Sequence, residues 1–328
     1  MAPPPPRVEI SLPLINTANP SATTLEDLRL LYACRSTGAV TTRTSLINGF
    51  DHNPEVHQHA FFSPAHPSQN TTTTTHTATL NTLGYSPHTL STYLHYIKTI
   101  SDELPLNNPT STKGFIISVT GPPSDIAACY KLITSLAPAV NCPNIPHRPP
   151  PAYSEEALTT YLEHIARAVG EASDEGLPRI PVGLKTPPYT YATQYHGLIA
   201  ALEKSAGVGM GMGCVQLVSL LLPTHGSCLV LDDGTTEPLL PGSGVGGMAG
   251  APLHPLALGN VRTIRRMLDE RQEKLGHVQV IGVGGVLDAA GYKRMRAVGA
   301  EVVGLASGLL LKGVGFFGEI EDGLGGKW

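Results

Sequence analysis

The sequence VQVIGVGG, at residues 278–285, is the clearest indication of the fold, because a short run rich in β-branched residues ends directly in two glycines. The sequence EVVGLASG, at residues 301–308, repeats this pattern one unit later. Short apolar runs that alternate with helical patterns are typical of parallel strands joined by crossover helices. The two stretches therefore predict an α/β protein built from βα units.

The same pattern elsewhere in the chain predicts eight strands in all. They are Val8–Ala18, Gly38–Thr42, Phe115–Thr120, Ala137–Asn141, Pro181–Lys185, Val215–Ser219, Val278–Gly282 and Glu301–Ala306. Helices are predicted to begin at the Thr24 cap, to run from Ser154 to about Ala172, and to cover Leu258–Leu275. Eight such units predict a (β/α)8 TIM barrel, as one domain over residues 1–328 with a proline-rich tail at residues 1–7.

Three segments do not fit the repeat of βα units, and one of them is a polar turn region at Asn107–Lys113. Residues 48–69 are predicted to form a long loop, and the threonine run at 71–75 an exposed connector. Leu229–Leu240 predicts a hairpin around Asp233-Gly234, inserted after the sixth strand. The predicted architecture is thus a barrel with a small inserted β-hairpin and loops over its top.

The charge and cysteine content of the chain indicate what kind of partner it binds. Charged residues make up 15% of the chain and its net charge is −4, which argues against binding to nucleic acid or to a membrane surface. Five cysteines without a CxxC pair indicate a reducing compartment, and the histidines lack metal-ligand spacing. With a proline run in place of a signal peptide, we expect a cytoplasmic protein without a metal site that acts on a small molecule.

Glycine-rich strand ends predict where a phosphate binds. In barrels of this type, phosphate commonly binds after strands seven and eight, where Gly284-Gly285 and Ala306-Ser307 stand here. Glycines let backbone N–H groups approach an anion closely. The GxGxxG pattern at residues 242–247 does not follow a strand, so we interpret it as lining a planar ligand and not as a dinucleotide fingerprint.

Two reactive side chains stand at other strand ends. Lys185 closes strand five within an apolar run, and it is either a lysine that reaches solvent or a cation beside a cofactor that gains negative charge on reduction. Cys142 lies between Asn141 and Asn144, and it is either a buried structural cysteine or a catalytic base or nucleophile.

A set of motifs carries a family resemblance. They are Asn81-Thr82-Leu83-Gly84, Cys142-Pro143-Asn144, Gly183-Leu184-Lys185, Gly244–Gly250 and Ile281–Gly285. In this order and spacing they resemble the dihydroorotate dehydrogenases, within them the soluble class 1 branch, from about Leu14 to Leu311.

The resemblance implies FMN over the barrel mouth and oxidation of dihydroorotate to orotate, a reaction on a CH–CH donor in pyrimidine biosynthesis. It implies that Cys142 removes the C5 proton while hydride passes from C6 to flavin N5, and that Lys185 stabilises the reduced ring. The implied FMN contacts are Thr17, Ala18, Arg43, Thr44, Asn81, Lys185, Gly246, Gly247, Gly284, Gly285, Ala306 and Ser307. The implied substrate contacts are Arg43, Asn81, Leu83, Gly84, Tyr85, Asn144, Ser219 and Leu220.

Several positions depart from the family pattern. Ala139 and Ser219 replace asparagines, Leu220 replaces a serine, and Arg43 replaces a lysine. Each buried polar partner left unpaired costs about 1–3 kcal/mol, so these changes raise a second hypothesis, an FMN oxidoreductase on the same scaffold with another substrate. A non-catalytic flavin binder is a third. The class 1 resemblance also implies a homodimer that uses a soluble electron acceptor, and fumarate is the acceptor that we expect.

Overall fold

The computed structural model describes residues 8–65, 76–107, 113–136, 140–141, 151–207, 216–219 and 227–328. Within them, twelve strands are found: β1 (Leu14–Asn16), β2 (Ala39–Thr41), β3 (His59–Phe62), β4 (Ala78–Asn81), β5 (Gly114–Ser118), β6 (Val140–Asn141), β7 (Val182–Lys185), β8 (Gln216–Ser219), β9 (Cys228–Leu229), β10 (Val245–Gly250), β11 (Val280–Val283) and β12 (Val302–Leu305).

Eight of these strands form one parallel sheet, in the order β1-β12-β11-β8-β7-β6-β5-β2. Its register places Asn141 beside Gly183, Lys185 beside Val218, and Val283 beside Gly304. Each predicted strand overlaps one of the eight, although the observed strands at Gly114–Ser118 and Val280–Val283 each extend one residue beyond the predicted range. The α/β class and the positions of the eight parallel strands are therefore confirmed. The first strand is three residues long and not eleven, because the chain bends at residues 11–13 before it reaches the sheet.

Ten α-helices occur among the described residues: α1 (Leu25–Ala33), α2 (Leu90–Asn107), α3 (Pro123–Leu136), α4 (Glu155–Asp174), α5 (Ala192–Gly207), α6 (His254–Asp269), α7 (Gln272–Leu275), α8 (Ala289–Ala297), α9 (Ser307–Lys312) and α10 (Phe316–Leu324). Thr24 and Asp27 cap α1 reciprocally, and Ser154 caps α4, as predicted. The helix predicted at Leu258–Leu275 begins earlier, at His254 with a proline in its first turn, and it breaks at Arg271, whose φ of −125° is not helical.

Strands β1 and β2, the two edges of this sheet, are joined by backbone and side-chain contacts. The amide of Gly38 donates to the carbonyl of Leu14 at 2.9 Å. The buried carboxamide of Asn16 donates to the carbonyl of Thr41 at 2.6 Å and accepts from the amide of Thr41 at 2.8 Å. A single side chain thus bonds to both backbone groups of Thr41, in the way that a neighbouring strand would.

A second, antiparallel sheet has the order β3-β4-β10-β9, and it corrects the prediction of a lone inserted hairpin. The hairpin exists, with a bridge between Leu231 and Pro238, but it adjoins a sheet whose strand β3 lies inside the predicted loop 48–69. Strand β10 includes part of the GxGxxG segment. One face of the sheet is buried by Ala60, Phe62, Ala78, Leu80, Leu239 and Leu240. Among the helices described, none is long and apolar enough to cross a membrane.

Candidate active site

The carboxyl ends of the parallel strands meet at one edge of the sheet, and most of the predicted site residues that the structure describes follow those ends. Lys185 ends β7, and Arg43 and Thr44 follow β2. Gly284 follows β11 and Ala306 follows β12. The second sheet supplies the remaining described positions, from Asn81 to Tyr85 and at Gly246 and Gly247.

The predicted phosphate loops line one cavity. Gly284, Gly285, Ala306 and Ser307 face it together with Gly250. Over the part of the chain that is described, the N–H groups of Gly284, Gly285 and Ser307 donate to no protein acceptor. The structure therefore brings the two predicted loops together around one cavity.

The glycines of the first loop are required by its geometry. Gly284 has a φ of 125° and Gly285 a φ of 65°, which side-chain-bearing residues rarely adopt. A Cβ atom on Gly285 would stand 2.7 Å from the carbonyl oxygen of Gly250 and 2.9 Å from the amide nitrogen of His254. The loop therefore packs against residues 250–254 at a distance that only glycine allows.

Lys185 is a largely buried cation. Removal of its amine from water lowers the pKa of Lys185 to about 8. Among the described residues, no hydrogen-bond acceptor or carboxylate pairs with this amine. A buried ammonium without an anion is costly, and such a group is typical of a site that receives negative charge from a ligand.

Arg43 is a second cation without a carboxylate partner in the described ranges. Its guanidinium donates to the carbonyl of Gly84 at 3.0 Å and contacts the hydroxyl of Thr23 at 3.4 Å. Burial lowers the pKa of Arg43, though it stays protonated at any ordinary pH. The bond to Gly84 ties Arg43 to the loop that follows β4.

That loop, residues 82–86, is packed against an aromatic residue. The Phe50 ring lies directly over Gly84, where a Cβ would clash, and it meets Tyr85 edge-on with ring centroids 5.8 Å apart. Burial raises the pKa of Tyr85, and its hydroxyl bonds to Thr120. Leu83 is half-buried in the same loop.

Asn81 and the residues near β1 and β2 already make protein contacts. The Asn81 amide donates to the carbonyl of Gly247 at 3.1 Å, which joins β4 to β10. The Thr17 amide donates to Leu305 at 2.8 Å, and the Thr44 and Ser118 hydroxyls are 2.8 Å apart. Ala18 is half-buried, and Gly246 is buried against β4.

Several predicted positions lie outside the described residues. They are Ala139, Cys142, Asn144 and Leu220. The chain on either side is described: Asn141 ends β6 and pairs with Gly183, and Ser219 ends β8 and pairs with Gly282.

One buried residue at this edge was missed by the sequence analysis. His254 begins α6, and its Nδ1 atom lies 2.8 Å from the carbonyl oxygen of Gly284. Thirty residues separate the two in the chain. No local pattern indicates such a contact, because it depends on how α6 packs beside β11.

Comparisons with known proteins identify the family. The family model for dihydroorotate dehydrogenase matches residues 65–327. Dihydroorotate dehydrogenase (fumarate) of Trypanosoma cruzi is 27% identical over 324 residues, which cover 95% of this chain and 88% of the relative.

Two further relatives come from prokaryotes. A putative dihydroorotate dehydrogenase A (fumarate) of Streptococcus uberis is 26% identical over 318 residues, covering 95% and 88% of the two chains. The catalytic subunit of dihydroorotate dehydrogenase B (NAD(+)) of Saccharolobus solfataricus is 32% identical over 166 residues, half of each chain. The chain belongs to the dihydroorotate dehydrogenase family.

Proposed function

We propose that this protein is an FMN-dependent oxidoreductase that oxidises dihydroorotate to orotate. The observation that carries the proposal is the pairing of a glycine-lined cavity with two buried cations, Lys185 and Arg43, at one edge of a parallel sheet. Both features suit anionic ligands, the cavity a phosphate and the cations a carboxylate and a reduced flavin.

The residues present fit the phosphate of FMN. Gly284, Gly285 and Ser307 offer N–H groups that no described acceptor uses, and the lack of a Cβ at Gly285 lets this loop pack closely against Gly250, which lines the same cavity. Ala306 would complete this phosphate contact. The remaining flavin contacts that we propose are Thr17, Ala18, Arg43, Thr44, Asn81, Lys185, Gly246 and Gly247.

The chemistry divides between two side chains of this protein. Oxidation of dihydroorotate removes a proton from C5, which we assign to Cys142, the residue that follows the last residue of β6. A thiol has an ordinary pKa of about 8.5, so a modest depression suffices for a base at neutral pH. When bound, FMN supplies the two-electron acceptor for the hydride that leaves C6. Lys185 stabilises negative charge beside that acceptor.

Arg43 and the loop after β4 would hold the substrate. A guanidinium suits the planar carboxylate of dihydroorotate, and its bond to Gly84 fixes it beside the loop. We also propose substrate contacts from Asn81, Leu83, Tyr85, Asn144, Ser219 and Leu220. The contact of Asn16 with Thr41 supports closure of the parallel sheet into a (β/α)8 barrel.

The relatives support a soluble electron acceptor. Two of the three relatives above are named as fumarate enzymes, so fumarate is the acceptor that we propose. A cytoplasmic homodimer with a role in pyrimidine biosynthesis completes the proposal.

A second candidate is an FMN oxidoreductase with a different substrate. It is favoured by Asn81, which already uses one of its two amide hydrogens to bond to Gly247 and so has fewer donors left for a pyrimidine ring. The edge-on contact of Tyr85 with Phe50 and its bond to Thr120 likewise commit that side chain to the protein.

Anaerobic addition of dihydroorotate to the FMN-loaded protein separates the two candidates. Bleaching of the flavin absorbance, with orotate formed in equal amount, supports dihydroorotate oxidation. Bound FMN that dihydroorotate leaves oxidised, while another reductant bleaches it, supports the second candidate. A protein that does not bind FMN contradicts both.

A further inference from the structure

His254 makes two hydrogen bonds with its ring, one on each nitrogen. Nδ1 lies 2.8 Å from the carbonyl oxygen of Gly284, and Nε2 lies 3.2 Å from Nε of Arg294. The residue is 8% exposed and does not line the phosphate cavity itself. It therefore contacts the glycine loop without lining the cavity itself.

The two partners fix the form of the ring. A carbonyl oxygen only accepts, so Nδ1 must carry the hydrogen, and an arginine only donates, so Nε2 must hold the lone pair. His254 is thus a neutral imidazole with its hydrogen on Nδ1. A doubly protonated ring would turn an N–H toward the N–H of Arg294, and that contact would be repulsive.

The bond to Gly284 determines the direction of the next amide. The carbonyl of Gly284 and the N–H of Gly285 belong to one trans peptide plane and point in opposite directions. Glycines on both sides of that plane allow it to turn over, which would exchange the N–H for a carbonyl oxygen. A carbonyl oxygen toward the cavity would repel a phosphate.

We infer that His254 is a positioning residue for the phosphate of FMN. It holds the Gly284 carbonyl behind the loop, so that the N–H of Gly285 points toward the cavity that Gly285 lines. Arg294 supports this arrangement by holding the ring in the tautomer that donates to Gly284. The inference rests on the proposed function, because it assumes that FMN is the ligand of the cavity.

The test compares the affinities of the apoprotein for FMN and for riboflavin, which has the same ring without the phosphate. Dissociation constants are measured from the quenching of flavin fluorescence. His254→Leu removes the donor at similar size, and we expect its dissociation constant for FMN to rise roughly tenfold, while that for riboflavin changes by less than about twofold. His254→Asn keeps a donor near the position of Nδ1, and we expect it to stay within about threefold of the parent for both ligands.

Two further variants complete the design. His196→Leu removes an exposed histidine on α5 and should leave both dissociation constants unchanged. Arg294→Met changes a half-exposed side chain and is therefore a milder perturbation, which can be used if His254→Leu does not fold. It should raise the dissociation constant for FMN by roughly threefold and leave that for riboflavin unchanged.

The outcomes distinguish the inference from the function on which it rests. The inference is overturned if His254→Leu weakens the binding of FMN and of riboflavin equally, because His254 would then have only a general structural role. The same holds for Arg294→Met if only that variant folds. An unchanged preference for FMN over riboflavin would overturn it as well. A parent protein that binds FMN no better than riboflavin would overturn the proposed phosphate site, and the inference with it.

Discussion

Lys185→Met is predicted to stabilise the apoprotein while it abolishes flavin reduction. Burial lowers the pKa of Lys185 from its ordinary value to about 8, and no described residue offsets the charge. Such a pKa corresponds to a cost of about 3 kcal/mol for the charged amine at neutral pH. Methionine fills a similar volume without the charge, so we expect the free energy of unfolding to rise by about 1–3 kcal/mol at pH 7.

The stabilisation by Lys185→Met should depend on pH. The pKa is lower in the folded than in the unfolded protein, so the cost is fully present below pH 8 and is lost as the pH rises toward the unfolded value of about 10.4. The difference in the free energy of unfolding between Lys185→Met and the parent should therefore shrink between about pH 8 and pH 10, because the parent becomes more stable.

Urea unfolding of the two apoproteins at pH 7 and at pH 10 measures this difference. Lys98→Met, at an exposed lysine that pairs with Asp102 at 2.7 Å, is the control, and it should change stability by less than about 0.5 kcal/mol at pH 7. The reasoning is refuted if Lys185→Met is less stable than the parent at pH 7, or if their difference is the same at both pH values.

Three further variants test other parts of the structure. Gly285→Ala adds a Cβ 2.7 Å from a backbone oxygen at a φ of 65°, so it should distort the loop and raise the dissociation constant for FMN by more than about tenfold in a fluorescence titration. An unchanged dissociation constant would contradict the phosphate site at this loop. Arg43→Ala should raise the dissociation constant for orotate by roughly 10–100-fold with FMN still bound, and an unchanged constant would remove Arg43 from the substrate site. Asn16→Ala leaves two buried backbone groups of Thr41 unpaired, so it should lower the free energy of unfolding by about 2–4 kcal/mol in urea; a loss below about 0.5 kcal/mol would show that this contact does not hold the sheet edges together.

The parallel strands could be predicted from the sequence because each carries its own local signal. Val280–Val283 and Val302–Leu305 are short apolar runs rich in valine that are followed directly by small residues, and burial on both faces of a parallel sheet selects such runs. The helix starts at Thr24 and Ser154 were equally local, because a capping side chain bonds to an amide three residues later.

The antiparallel sheet could not be predicted in the same way. Strand β10 contains three glycines, which have low strand propensity, and its pairing with β4 joins residues more than 160 positions apart. His59–Phe62 is only four residues long. These strands exist because of long-range pairing and the buried face they share, and neither leaves a periodic signal in a single segment.

Some residues of the candidate site could likewise be predicted from local sequence, and others could not. Gly284, Gly285 and Lys185 were found because their positions at strand ends have chemical meaning in a parallel sheet. His254 was missed because its role depends on a contact across the fold. The bond between Asn81 and Gly247, which commits a predicted ligand group to the protein, was likewise visible only in three dimensions.

The rate of anaerobic flavin reduction in Cys142→Ala tests the proposed reaction most directly. After rapid mixing of the FMN-loaded protein with dihydroorotate, loss of the flavin absorbance reports proton and hydride removal together. We expect the parent and the control variant Cys34→Ala to bleach at similar rates, and Cys142→Ala to bleach at least about 100-fold more slowly with FMN retained. Bleaching of Cys142→Ala at the parental rate would contradict its assignment as the base, and a parent protein that dihydroorotate does not bleach would contradict dihydroorotate oxidation itself.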